Sequence, residues 1–131
     1  MGKIQGSIKG NAAFQLLVPD GWQFTDFGND SLQVYNMMGT LMVSLKRDGY
    51  NMTEQDEEKL IAGFAAQYKG STPEKVSFKG MNWNKTVYDY GMHQSLFTCI
   101  REGRKISLQL AGTDHENNEI IQAVVDSIEF L

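Results

Sequence analysis

The sequence predicts an α+β protein in which a largely antiparallel β-sheet is covered by helices on both faces, an α-β-α sandwich. Three observations carry that prediction. Strand-like segments follow one another with short connections, which only antiparallel pairing allows. Two segments have a single apolar stripe at helical spacing, so each must lie against a sheet. And residues 94–100 carry apolar side chains on both sides, Leu96 and Ile100 against Phe97 and Cys99, as a central strand covered on two faces requires.

The chain of 131 residues suits one domain spanning 1–131, long enough to bury roughly two-thirds of its unfolded surface. A 41% apolar content argues for a packed core and against disorder. The net charge of −4 disfavours nucleic acid, whose binding rests on neutralised phosphates. No apolar run is long enough to be a transmembrane segment. Neither an apolar leader nor a myristoylation pattern opens the sequence as given. The expectation is a cytoplasmic protein as given, or a cell-envelope one if a leader was trimmed. A single cysteine, Cys99, excludes an intramolecular disulfide framework and reads as a buried, inert thiol.

Residues 1–11, with Ile4 and Ile8 as their only large apolar side chains, form a lead-in arm or an edge strand. Residues 13–18 alternate Phe14, Leu16 and Val18 against Gln15 and Leu17, a half-buried strand that Pro19-Asp20-Gly21 stops. Trp22, Phe24 and Phe27 follow as a core plug. Residues 32–36 and 41–46 pair as strands around Met37-Met38-Gly39-Thr40. The two methionines at that tip either fold back over the core, the preferred reading, or present an adaptable contact surface.

After a loop over 48–53, Thr53 caps a helix, and Glu54, Asp56, Glu57 and Glu58 suit the positive end of its dipole. Asp56 completes a near-match to a capping box. Leu60, Ile61, Phe64, Ala65 and Tyr68 make its apolar stripe, and Gly70 supplies the stop. Strands over 74–78, 83–90, 94–100 and 104–111 come next. The last two are joined through Arg101-Glu102-Gly103, read as a three-residue loop with Gly103 left-handed. That register sets Thr98 opposite Ile106 and Leu96 opposite Leu108. A two-residue Glu-Gly loop would set them opposite Ser107 and Gln109, the poorer match. Ile120, Ile121, Val124, Val125 and Ile128 mark a second helix, and 129–131 add a short terminal strand.

The pattern resembles a family. Phe14-Gln-Leu-Leu-Val-Pro-Asp-Gly-Trp22, a helix over 51–69 behind a strand pair, the Gly80…Trp83…Tyr88 strand, the 96–110 hairpin and the closing Asp126-Ser-Ile-Glu-Phe130 are similar to the PsbP-like fold family. That family spans the photosystem II extrinsic protein PsbP, a Ran-binding nuclear-import factor and many small bacterial lipoproteins. The resemblance covers nearly the whole chain and implies the sandwich fold and a binding, assembly or accessory role. It carries over no functional residue, because the matching positions are structural. The lipid-anchored cysteine and signal peptide of the bacterial members, and a thylakoid transit segment, have no counterpart here.

The motifs themselves offer no chemistry. A nucleophile elbow is missing, and only His93 and His115 are available as bases. His115 sits where polar residues cap a helix, and His93 reads as an exposed loop residue beside Met92. One cysteine and two distant histidines fall short of a metal set, and no glycine-rich phosphate loop implies a cofactor. The expected function is therefore non-catalytic: a binding or accessory domain engaging a protein partner or a small apolar ligand. Its expected site is the apolar loop residues Met37, Met38, Tyr50, Met52 and Met92, with His93, if they converge on one face. The alternatives are a small enzyme built on His93 with Tyr88, Tyr90 or Asp89, and self-association through an exposed sheet edge.

Overall fold

The computed structural model describes residues 3–131. Its elements in chain order are β1 (Gly6–Gly10), β2 (Phe14–Pro19), β3 (Gln23–Gly28), β4 (Ser31–Tyr35), β5 (Met42–Asp48) and α1 (Glu54–Tyr68). There follow β6 (Glu74–Phe78), β7 (Met81–Tyr90), β8 (Met92–Arg101), β9 (Arg104–Ala111), a single 3₁₀ turn (His115–Asn117), α2 (Glu119–Ser127) and β10 (Glu129–Phe130). Seven strands form one antiparallel sheet in the order β3-β4-β5-β9-β8-β7-β6. A second sheet, β1-β2-β10, is also antiparallel.

Strand β8 pairs on both sides without a bulge, so Ser95, Phe97 and Cys99 point one way and Leu96 and Thr98 the other. Helix α1 lies over the second set, where Thr98 Oγ1 donates to Glu57 at 2.5 Å. Helix α2 lies over the first together with the three-stranded sheet, where Phe14, Leu16 and Val18 meet Leu108, Ile121 and Val124 in one buried cluster. The fold is α+β with a largely antiparallel sheet and a helix on each face. What the sequence reading lacked is the split into two sheets, the smaller of which shares its side with α2.

Local signals explain both helices. Thr53 and Asp56 form a reciprocal capping box at the start of α1. Asn118 accepts from the Ile120 and Ile121 amides to start α2. At the end of α1 the left-handed residue is Lys69 (φ +52), not Gly70. Gly70 is needed for a different reason: a Cβ there would stand 2.9 Å from Thr86 Cγ2. The expected strand over 129–131 forms as β10 against β2.

Further expectations are corrected. Arg101 pairs with Arg104, so β8 and β9 are joined by the two-residue loop Glu102-Gly103, both residues at positive φ (+53 and +75). A turn of that hand matches strand twist. It sets Leu96 opposite Gln109 and Thr98 opposite Ser107, and the apolar match falls on the other face, as Phe97–Leu108 and Cys99–Ile106. Residues 23–28, read as a plug after a turn, are strand β3, and Phe27 is 60% exposed on this sheet-edge strand while Trp22 and Phe24 pack on the core. Met37 and Met38 do not fold back; they are 70% and 84% exposed. His93 is a strand residue of β8 rather than a loop residue, and His115 is buried.

Candidate functional site

The β7–β8 hairpin turns at Gly91 (φ +70), which sets Asp89 across from His93. On the other side of β8, β9 ends at Ala111 and the Gly112 amide donates to His93 O. Gly112 (φ +128) passes so close to Thr40 O and Leu41 that a side chain would collide, and Asp114 is left-handed (φ +56). These two backbone reversals fold the 3₁₀ turn back over the start of β8. His115 and Glu116 thereby arrive beside His93 and Ser95, which alternation along the strand places on that same face.

Five polar side chains interlock there. His93 Nδ1 is 3.0 Å from Asp89 Oδ1 and its Nε2 is 2.7 Å from Glu116 Oε2. His115 Nδ1 donates to Gly112 O at 2.9 Å, and its Nε2 is hydrogen-bonded with Ser95 Oγ at 2.7 Å. The other Glu116 oxygen, Oε1, stands 3.7 Å from His115 Nε2. The two imidazole rings, 22 positions apart in sequence, have centroids 5.0 Å apart. His115 is 1% exposed, whereas the His93 side chain is 32% exposed.

The electrostatics follow from the contacts. Hydrogen bonding to Glu116 and then to Asp89 raises the His93 pKa, outweighing a small cost of burial. Burial alone would push the Glu116 carboxyl up, but the hydrogen bond from His93, its own backbone and the nearby imidazoles hold it below the ordinary range. Cys99 stands apart from the cluster: burial, and then Glu57, push its thiol up to about 12, which leaves it protonated and inert at neutral pH.

Beside the cluster, between α2 and strands β6 to β9, opens a cavity of about 410 Å³. Phe97, Leu108, Leu110 and Val125 give it an apolar lining, and Ser95, His115 and Glu116 contribute to its wall. Lys79 and Lys85 reach its rim. Lys79 Nζ donates to the Asp126 carbonyl, and Lys85 Nζ lies 5.6 Å from the centre of the Phe97 ring. The rim carboxylates are occupied, Glu116 by His93 and Asp126 by Gln122.

The loop residues expected on one face divide between the two ends of the sheet. Strand β5 runs the length of the sheet, about 20 Å for seven residues, with the Met37–Met38 tip before it and Tyr50 and Met52 after it. Met92 and His93 lie at the Met37–Met38 end. At the other end, the Arg104 guanidinium covers the Tyr50 ring at 4.3 Å and the Met52 amide binds Gly103 O. Of the His93 companions considered, only Asp89 is bonded to it; Tyr88 points to the opposite face, hydrogen-bonded to Gln94. The premise of two distant histidines is overturned. Sequence reasoning missed Ser95 and Glu116 and set His115 aside as a helix-cap residue. The available signal was a polar His93–Ser95 pair at strand spacing, on the face that continues into Phe97 and Cys99.

No protein-family model matches the sequence, and no curated protein matches it. Solved structures do. The solution structure of cyanobacterial PsbP (CyanoP) from Synechocystis sp. PCC 6803 superposes with a TM-score of 0.66 at 11% identity, covering 99% of this chain and 95% of that one. A crystal structure of a protein from Bacteroides thetaiotaomicron VPI-5482 superposes with a TM-score of 0.61 at 15% identity. It covers 98% of this chain, which spans 49% of that longer one. The fold is PsbP-like. Among the described residues no helix is long and apolar enough to cross a membrane.

Proposed function

We propose that this chain, on its PsbP-like fold, is a non-catalytic binding domain whose ligand is a small apolar molecule with an anionic end, held between α2 and the large sheet. The observation that carries the reading is the cavity of about 410 Å³, within the size range of small-molecule sites and mostly apolar in its lining. Its apolar body-binding part is Phe97, Leu108, Leu110 and Val125. Its rim favours an anion because, among the described residues, its lysines make no ion pair with a carboxylate. Lys79 is bound to a carbonyl and Lys85 lies beside a ring, whereas Glu116 and Asp126 are already bonded.

An anionic aromatic sulfonate dye is a suitable probe, because its fluorescence rises on entering an apolar site. Saturable binding at micromolar dye is expected. Val125→Trp, which fills the cavity, should abolish it with the circular-dichroism spectrum unchanged, and Lys85→Glu should weaken it about tenfold. Absence of saturable binding by the folded protein would remove the reading. The rival, an apolar surface for a protein partner at the exposed Met37–Met38 tip, predicts the reverse: dye binding kept in Val125→Trp and lost when both methionines become serine.

A further inference from the structure

The geometry points to a divalent transition-metal site formed by His93, His115 and Glu116, with zinc as the ion it fits best. One donor atom from each of the three residues lies within 4.8 Å of the other two. In tetrahedral zinc with N and O ligands at about 2.0–2.1 Å, neighbouring donors stand roughly 3.3 Å apart. His93 Nε2 and Glu116 Oε2 are now 2.7 Å apart, and His115 Nε2 and Glu116 Oε1 are 3.7 Å apart. Small rotations of exposed His93 and Glu116 side chains bridge the difference.

The outer contacts argue more strongly than the convergence does. A histidine that binds metal through one nitrogen has its other N–H held by a carboxylate or a backbone carbonyl, which fixes the tautomer and the ring plane. Both histidines are held in that way, and with the same polarity. His93 presents Nε2 inward while Nδ1 is held by Asp89 at 3.0 Å. His115 presents Nε2 inward while Nδ1 donates to Gly112 O at 2.9 Å. Each anchor is set by backbone: the cross-strand Asp89–His93 pair, and the reversal after Gly112.

A structural network of hydrogen bonds alone does not require two Nε2 atoms to face one carboxylate. The cluster also suits a cation electrostatically. Glu116 and Asp89 offer two negative charges to one exposed imidazole, a surplus that a divalent ion would neutralise in place of the His93 proton. The donor set, two imidazoles and one carboxylate, is of the kind that takes zinc and its first-row neighbours rather than calcium or magnesium. Three protein ligands leave a fourth position. Ser95 Oγ, at 2.7 Å from His115 Nε2, is the neighbour that must turn away when the metal enters. Both Ser95 and His115 line the cavity, so the open position faces the pocket. The metal site does not depend on the ligand reading, since the ion alone tests it.

The test is titration of the protein, free of any affinity tag, with Zn²⁺ against a chromophoric chelator at neutral pH. The expected result is one equivalent bound with micromolar or tighter affinity. His93→Ala and Glu116→Gln should each weaken it by about 100-fold or more, and Asp89→Asn by 10–100-fold. Co²⁺ in place of zinc should give the visible bands of a tetrahedral site, absent in His93→Ala. His93 and Glu116 are surface residues, so both variants should keep their far-ultraviolet spectrum. A zinc-dependent rise in melting temperature should appear in the wild type and vanish in them. Absence of saturable zinc binding at 100 μM, or His93→Ala and Glu116→Gln binding like the wild type, overturns the proposal.

Discussion

On the α2 side of the large sheet, β7, β8 and β9 present Trp83, Phe97, Cys99, Ile106 and Leu108, and Phe14, Leu16, Ile121 and Val124 close over the same apolar cluster. On the α1 side the same three strands present Thr86, Tyr88, Gln94, Thr98, Ser107 and Gln109. There Tyr88 donates to Gln94 at 2.8 Å, and Gln109 donates to Tyr88 at 2.6 Å. Helix α1 meets this polar surface with Ile61 as its one buried apolar residue, a buried Glu57 bonded to Thr98, and Phe64 edge-on to Tyr88 at 4.8 Å. Apolar burial is non-directional and tolerates small shifts, whereas a buried carboxylate and a set of amides must each find a partner in the right direction. One face therefore rests mainly on apolar burial, and the other meets its helix across a largely polar surface, to which Glu57 is bonded through Thr98.

The most direct way to break that comparison is to remove one large side chain from each face. Trp83 is fully buried, stacked on Phe78 at 4.9 Å, with its Nε1 donating to Phe78 O. Trp83→Ala should cost about 3–5 kcal/mol, the range for large aromatic truncations in a core. Ile61→Ala, under α1, should fall at the low end of aliphatic truncations, about 2 kcal/mol. Urea unfolding of both variants measures the difference. Equal losses would mean that α1 contributes to the core as fully as α2 does.

A smaller effect sharpens the contrast. Glu57→Ala leaves the buried Thr98 hydroxyl without its acceptor, at a cost of about 1–3 kcal/mol. Combining Glu57→Leu with Thr98→Val removes both polar partners and makes the α1 face resemble the α2 face. The double variant should recover most of the loss seen in Glu57→Ala, because no polar group is then stranded. If it stays as unstable as the single variant, Glu57 acts through something other than Thr98.

What the sequence made legible divides along the same line. Features written in neighbouring residues were readable: the Thr53–Asp56 cap, the apolar stripe of α2, the alternation from Phe14 to Val18, the short strand after α2. Features that arise when distant residues meet were not. The β8–β9 register turns on Glu102 accepting a left-handed backbone, which a glutamate does not advertise as an asparagine would. Strand β3 was hidden because its apolar residues, Phe24 and Phe27, break the alternation near the bulge between Asp26 and Gly28. Glu57 read as one more acid at the helix start, since burial against Thr98, 41 positions away, leaves no local trace. His115 looked like a solvated cap for the same reason: its partner Ser95 lies 20 positions back.

The smallest expected effect lies at the exposed start of α1, where the polar face is anchored by local chemistry alone. Thr53 Oγ1 accepts from the Asp56 amide at 3.2 Å, and the Asp56 carboxylate accepts from the Thr53 amide at 2.9 Å. The backbone hydrogen bond from Thr53, then that from its hydroxyl, hold the Asp56 pKa below its ordinary value. A depressed carboxylate pKa contributes stability above the ordinary value near pH 4, and that contribution fades as the pH falls through the depressed value. Thr53→Ala should cost about 1 kcal/mol at neutral pH. The difference from wild type should shrink on acidification below about pH 4, as the Asp56 carboxylate is protonated in both proteins. Urea midpoints for the two proteins from pH 7 down to pH 3 measure it. A gap that stays constant across that range would mean that the threonine hydroxyl caps α1 without help from Asp56, and that the helix start does not share the paired hydrogen bonding found along the rest of the α1 face.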